Sequence, residues 1–432
     1  MAVKHDEHYL RDVTLLGDNH KVVAHAPIHG QNRIKLVDIG TRINSALLDK
    51  LVAHKIDPLI DKCLTVENGV TPDMLAVEAK RLIEEQPFLS HLAEAVGGAD
   101  KLLEPLRQVL LVPALAFKLT VMQQRRTELF RHSLEVAIIA LYLGHIRGVL
   151  DAAGLRALSA ASLFHDIGIL HVDPEILDPT HAISDDERHH IYAHPITAFL
   201  ILNEYPSYSP QIRNAVLEHH EREDGSGYPR SIGYRETSAL GRILMLAEVL
   251  ATLAGKLSAK GQGNNRRLSV ALQLCNHKYD PALVSILAKV LRDLGHTCSM
   301  AREDATFLPK MDKIGSLIGN WQAIHEMLCE AQTGGLLTNF IDRQMTDLEY
   351  SLSSAGCHPD LISLAYLSAK DNIPAFEELS EVADEGIWQF LDIARETRRR
   401  WDILKPSETE RQLIRPWLNG CQSLLAGYVV NP

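Results

Sequence analysis

The 432-residue chain has no run of eighteen apolar residues, no cysteine pair at CxxC spacing, no long basic stretch, no short-period repeat and no low-complexity segment. Each absence excludes something. Without the apolar run, no membrane span is expected. The six cysteines (Cys63, Cys275, Cys298, Cys329, Cys357, Cys421) are scattered. That argues against a disulfide framework or a thiolate zinc site and leaves buried free thiols as the expectation. A net charge of −11 with no basic face excludes general nucleic-acid binding, and Arg398–Arg400 reads as a solvated helix face. The opening MAVKHDEHYLRDV lacks the basic and apolar regions of a signal peptide, so a cytoplasmic location is expected.

Apolar residues at 46% and charged residues at 23% are ordinary for a globular protein, and the length suggests two or three domains. Val22–Ala24, Pro27–Ile28 and Ile34–Val37 read as short strands. In TRINSALLDKLVAHKI, the residues Ile43, Leu47, Leu51 and Val52 fall at helical spacing. Thr71–Pro72 reads as a helix start, and from there the pattern is almost wholly helical. Turn clusters break it at 206–210, 224–233 and 255–265, the last read as a mobile loop. The predicted architecture is mainly α in three parts. Residues 1–110 form a small α/β module with a helical linker, 111–297 a central helical domain, and 298–432 a helical C-terminal extension.

What the chain has in excess is histidine in one place: ten of its 21 histidines lie between His132 and His220. Dense histidine with carboxylates suits first-row metals. Glu128 and His132 are four residues apart, on one face of a helix, although a surface pair would look the same. His165–Asp166 closes the apolar run LSAASLF, where burying an aspartate is expensive unless a metal offsets the cost. His194 in AHP reads equally well as a helix-start histidine. His219 and His220 open the eleven-residue string HHEREDGSGYP, the most specific signal in the chain. His145 reads as a helix histidine near the core, His171, His181, His189 and His190 as surface residues, and His358 as structural.

HDIG, AHP, HHEREDGSGYP, GRILMLAEVLATLA and YDPALV, in this order over about residues 120–295, resemble the HD-GYP domain family of metal-dependent phosphohydrolases. Residues 26–56 resemble more weakly the small region that often precedes such domains. The resemblance implies a helical HD-type domain with two or three divalent metals, iron or manganese, and hydrolysis of cyclic di-GMP. It assigns as metal ligands His132, His165, Asp166, His194, His219 and His220, with Asp166 bridging. Asp166 and His165 are the catalytic pair, and Glu128 matches the extra carboxylate of three-metal members. Tyr228 and Pro229 would shape the substrate side. Two metals roughly 3.5–4 Å apart can activate a hydroxide at neutral pH for in-line attack on a phosphodiester. Ligation without thiolate favours iron or manganese over structural zinc.

Three departures from the family pattern stand out. The usual lysine of HDxGK is Ile169, which carries no charge and donates no side-chain hydrogen bond. The last ligand aspartate is Glu248. The arginine-bearing segment after that helix is replaced by GKLSAKGQGNNRRLSVAL, where Lys256, Arg266 and Arg267, together with Arg242 upstream, are the candidate cationic contacts. Three functions therefore stay open. The first is a phosphodiesterase acting on a cyclic dinucleotide, cyclic di-GMP foremost. The second is a weak or inactive signalling domain working through nucleotide or partner binding. The third is another HD-type nucleotide phosphohydrolase. A protein partner at either terminal region and a homodimer are both compatible with the sequence.

Overall fold

The computed structural model describes residues 7–31, 33–178, 180–181, 183–259, 265–293 and 306–425. Contacts divide the chain into two compact units, Met1–Lys256 and Leu257–Pro432.

The first unit begins with α1 (Glu7–Asn19) and four short strands, β1 (Val22–Ala24), β2 (Ile28–His29), β3 (Lys35–Val37) and β4 (Leu64–Val66). β1 pairs antiparallel with β4, Val23 opposite Thr65, and β2 pairs with β3. The helix expected over TRINSALLDKLVAHKI is cut to a 3-10 turn and the five-residue α2 (Leu48–Val52). Ile43 and Leu51 still bury completely, so the apolar spacing serves the core without a long helix. Thr71 caps α3 (Pro72–Glu85) as expected, its hydroxyl accepting from Met74 N at 3.3 Å. There follow α4 (Pro87–Val96), α5 (Ala99–Arg107), α6 (Pro113–Arg125), α7 (Thr127–Arg147) and α8 (Ala152–Phe164). Then come α9 (Asp185–Tyr192), α10 (His194–Asn203), α11 (Pro210–Glu218) and α12 (Ala239–Ala259).

α7 and α8 form the central pair of this unit. α7 is the one described helix long and apolar enough to cross a membrane by length and composition, but 72% of that window is buried inside the protein. It is apolar because it is surrounded. α12 runs through Gly255 to Ala259, helical where the sequence suggested a loop, and residues 260–264 lie outside the described residues.

The second unit contains α13 (Asn265–Leu274), α14 (Pro281–Asp293), α15 (Phe307–Glu330), α16 (Leu336–Ser354), α17 (Ile362–Ala369), α18 (Ile373–Leu404) and α19 (Glu408–Leu425). Its core centres on Trp321, Phe390 and Trp417, and Val270 and Leu274 of α13 join it. The contact pattern thus differs from the three-part division drawn from the sequence. Residues 7–110 pack with the central helices as one unit, and α13 packs on α18 rather than closing the central domain. Of the cysteines, Cys63, Cys275, Cys357 and Cys421 are buried and in no disulfide, Cys329 is exposed, and Cys298 lies outside the described residues.

Candidate metal centre

Five helices and one 3-10 turn of the first unit bring five imidazoles and two carboxylates together. His132 sits in the second turn of α7, and His165 caps α8. Asp166 follows at the head of a 3-10 turn, Ile167–His171, that lies against α10. Gly168 is what permits that approach: a Cβ there would stand 2.2 Å from the carbonyl oxygen of His194. His194 begins α10, His219 caps α11 with His220 next to it, and Glu248 faces inward from α12. Two donor sets result, Asp166 with His194, His219 and His220, and His132 with His165 and Glu248.

Asp166 is placed to join them. Its Oδ1 lies 3.0 Å from His194 Nε2 and 3.6 Å from His219 Nε2, while its Oδ2 lies 3.3 Å from His165 Nε2. Glu248 Oε2 is 2.8 Å from His132 Nε2 and 3.1 Å from His165 Nε2. The longer glutamate therefore still reaches two imidazoles.

The far side of each ring explains its orientation. His165 Nδ1 faces Ser162 O at 2.7 Å, His194 Nδ1 faces Ile191 O at 2.6 Å, and His219 Nδ1 faces Val216 O at 2.6 Å. A carbonyl only accepts, so each Nδ1 carries the proton and each Nε2 presents a bare lone pair to the centre, the arrangement a metal-ligating imidazole needs. His194 Nε2 and His219 Nε2 then face each other at 3.0 Å, which demands a cation or an extra proton between them. Burial holds His219 below its ordinary pKa, against that proton. Buried His165 Nε2 has no aligned hydrogen-bond partner despite its two close carboxylates. These features fit a resident divalent metal.

Without a cation the carboxylates draw protons onto two of the imidazoles, His165 and, against burial, His132 beside Glu248. Burial alone would depress His165, yet Asp166 and Glu248 carry its pKa well above the usual value. Burial works against both carboxylates, yet His165 holds Asp166, and His132 holds Glu248, well below the carboxylate range. His220 is driven well below its ordinary pKa by burial and then by His219. The centre keeps its carboxylates charged and His219 and His220 neutral, as metal ligation requires.

The other candidate residues are placed as follows. Glu128, in the first turn of α7, is exposed and belongs to neither donor set. Tyr228 stacks on His220, ring centroids 4.7 Å apart, with Pro229 beside it. Arg242 donates to the carbonyls of Tyr234 and Thr237 and lies over the Tyr234 ring, so it braces the loop after the GYP turn. Arg266 is buried in the second unit and pairs with Glu377, and Arg267 lies in the same helix. The Lys256 side chain is outside the described residues. Ile169 is buried in an apolar cluster with Val172 and Ile176. His145 is half-buried, as read; His189 and His190 are exposed, His181 bonds Glu187, and His358 accepts from Asp360 N. His171 departs from its surface reading, because its ring packs 5.0 Å from that of Tyr9.

Two carboxylates flanking the paired histidines escaped sequence reasoning. Glu218 accepts from Ser238 N and Oγ and from Arg230 Nη2, and Glu221 accepts from Arg230 N and Ile232 N. Both are buried, and together they fasten the GYP loop to the end of α11. Gly227 allows the loop to close, since a Cβ would meet Glu221 Cα at 2.4 Å. Tyr192, beside the Tyr228 ring at 4.6 Å, left no sequence signal beyond its place two residues before His194.

A helical domain with a paired histidine–carboxylate metal centre is an HD-type architecture, and the HD domain family matches residues 110–283. Over that segment the chain is similar to HD domains. The chain is 29% identical over 161 residues to a 3'3'-cGAMP-specific phosphodiesterase (number 3) of Vibrio cholerae, covering 37% of this chain and 35% of that one. It is 25% identical over 174 residues to a cyclic di-GMP phosphodiesterase of Pseudomonas aeruginosa, covering 40% and 42%. To the 3'3'-cGAMP-specific phosphodiesterase 1 of Vibrio cholerae it is 30% identical over 149 residues, covering 34% and 33%. The chain thus spans between a third and less than half the length of these relatives.

Proposed function

We propose that the protein is a metal-dependent phosphodiesterase that opens a 3'–5' phosphodiester of a cyclic dinucleotide, with cyclic di-GMP the first substrate to test and 3'3'-cGAMP the second. The observation that carries this reading is the common orientation of His165, His194 and His219. Each is locked by a backbone carbonyl so that Nε2 aims at a shared carboxylate. The names of the relatives point to the substrate class.

In this reading His132, His165 and Glu248 would hold one divalent metal and Asp166, His194, His219 and His220 a second, with the other oxygen of Asp166 turned toward His165. Iron or manganese suits imidazole and carboxylate donors without thiolate. Metals bound there supply Lewis acidity, which brings a water's pKa toward neutrality and offsets phosphate charge. The residues of the chain do the rest. The carbonyl-tied imidazoles keep their tautomers, and the Tyr228 ring, stacked on His220, forms a flat wall on the substrate side. Ile169 puts hydrocarbon where the family pattern has an ammonium, so this chain binds phosphate without that contact. The same residue favours a second reading, a domain that binds nucleotide or a protein partner and turns over little. We place the protein in the cytoplasm.

The deciding experiment is turnover of cyclic di-GMP and 3'3'-cGAMP, followed by chromatography. The protein is purified without oxygen and loaded with iron(II) or manganese(II), with Asp166→Ala beside it. Metal-dependent product from the parent and none from the variant is the expected result. No product from a protein carrying two metals would move the reading to the binding domain, or to another phosphate substrate.

A further inference from the structure

The two donor sets are delivered by different elements. α7 brings His132, and the 3-10 turn after α8 brings Asp166. Their relative placement decides whether one carboxylate can serve both sets. One helix outside the HD segment, α1, packs against the turn itself and against α6, the helix that leads into α7.

Its first contact is electrostatic. Asp12, buried at 6% exposure, accepts from Arg126 Nε at 2.8 Å, and its other oxygen lies 3.6 Å from Arg125 Nε. Arg126 separates α6 from α7 with backbone angles of φ −135° and ψ 58°. A residue outside the helical region leaves the angle between two helices unset by helix hydrogen bonds, so it must be fixed from outside. Asp12 grips that junction, six residues before His132.

The second contact lies on the same face of α1, three residues earlier. The Tyr9 ring packs 5.0 Å from His171, the last residue of the turn that begins after Asp166. Its hydroxyl donates to Asp61, whose other oxygen takes Lys118 Nζ at 2.8 Å, and the ammonium lies 3.6 Å over the Tyr9 ring. Both members of that ion pair are 2% exposed. Such a buried pair is seldom worth more than apolar packing, and its best-supported use is to fix one geometry among several.

We propose that α1 is a clamp on the metal centre, with Asp12 and Tyr9 as positioning residues. Asp12 sets the α6–α7 junction that aims His132, and Tyr9 sets the turn that aims Asp166. This rests on the metal-centre reading above.

The test uses the full chain and manganese(II) alone, with bound metal measured after equilibrium dialysis and thermal unfolding of the metal-free chain recorded beside it. Asp12→Ala weakens manganese binding about tenfold, the size of effect that partners behind a ligand produce. The exchanged pair, Asp12→Arg with Arg126→Asp, restores binding to within about twofold of the parent. Where Asp12→Ala does not fold, Asp12→Asn and Tyr9→Phe take its place, each weakening manganese binding. Unchanged affinity in the folded variants overturns the clamp, as does a lowered unfolding temperature with unchanged affinity. A weakened single variant that the exchange fails to restore overturns it too. Asp166→Ala separates the two claims. If that variant keeps its manganese, the metal centre itself is misread. If it loses manganese while the Asp12 and Tyr9 variants do not, only the clamp fails.

Discussion

Both units of this protein bury ionisable groups, and they handle them in opposite ways. In the second unit, α18 carries an inward polar stripe of Glu385, Gln389, Asp392, Glu396 and Arg400. Lys278 Nζ donates to Gln389 Oε1 at 2.7 Å and to Asp392 Oδ2 at 3.2 Å. Gln389 Nε2 donates to Glu385 Oε1 at 2.9 Å, and Arg400 Nη1 donates to Glu396 Oε2 at 2.7 Å. Donors there meet acceptors. In the metal centre, ring nitrogens whose far sides are already tied to backbone carbonyls converge on carboxylate oxygens and on one another. The first arrangement is complete with protein alone. The second calls for cations, and this contrast marks function more sharply than burial or charge taken singly.

The contrast can be broken at its strongest point. Asp166→Ala removes the oxygens placed between the two donor sets, so metal affinity falls by roughly a hundredfold or more, beyond what partners behind the ligands contribute. Elemental analysis of the purified variant reads this directly. Lys278→Met should do the reverse. It takes the ammonium away from buried Asp392 and costs about 4 kcal/mol of stability in the second unit, as breaking a buried pair does. Hydrogen exchange along α18 measures that loss, and metal content stays at the parent value.

A smaller effect separates the units by pH. Burial raises Glu385 to about 7, with Gln389 and Lys278 pulling the other way. A carboxyl whose folded pKa lies above its unfolded value near 4.5 binds more protons when folded. Its contribution is complete below about pH 4.5, declines as pH rises through the interval to 7, and is gone above it. Over that interval the second unit loses at most about 3 kcal/mol from this group. Glu381, also raised to about 7 by burial, adds a decline of its own. Glu385→Gln therefore flattens the stability of α18 between pH 5 and 7.5, measured by hydrogen exchange on the full chain. An unchanged slope would mean that Glu385 is charged in the fold.

Much of this was legible in the sequence, for physical reasons. The helices from α3 onward announce themselves by apolar periodicity and by caps such as Thr71. The donor residues lie in short motifs because a helix end can present only adjacent residues to one point. What stayed hidden depends on distant partners. α2 shrank because Ile43 and Leu51 could bury without a long helix. Arg266, a plausible phosphate contact in its own stretch, pairs with Glu377, 111 residues away. His171 looked like a surface residue because Tyr9, which covers it, comes from the other end of the unit. The loop-fastening carboxylates Glu218 and Glu221 adjoin the strongest motif, yet nothing in their spacing tells a hydrogen-bond clamp from a ligand.

Glu128 gives the smallest predicted effect and sharpens the comparison most finely. Its i,i+4 spacing to His132 suits a third metal, and the family resemblance assigns it that role. In the fold it sits in the exposed first turn of α7, where a carboxylate already has a reason to be, since negative charge near a helix N-terminus contributes about 0.5 kcal/mol. The donor atoms of the two sets lie within 4.8 Å of one another in each set, and Glu128 is in neither. Glu128→Gln should therefore leave two metals per chain and lower the unfolding temperature by about 2 °C or less, the scale of a lost surface charge in a chain of this size. A drop in manganese stoichiometry would instead show α7 closing on a third ion, with the helix end serving as a ligand rather than a solvated cap.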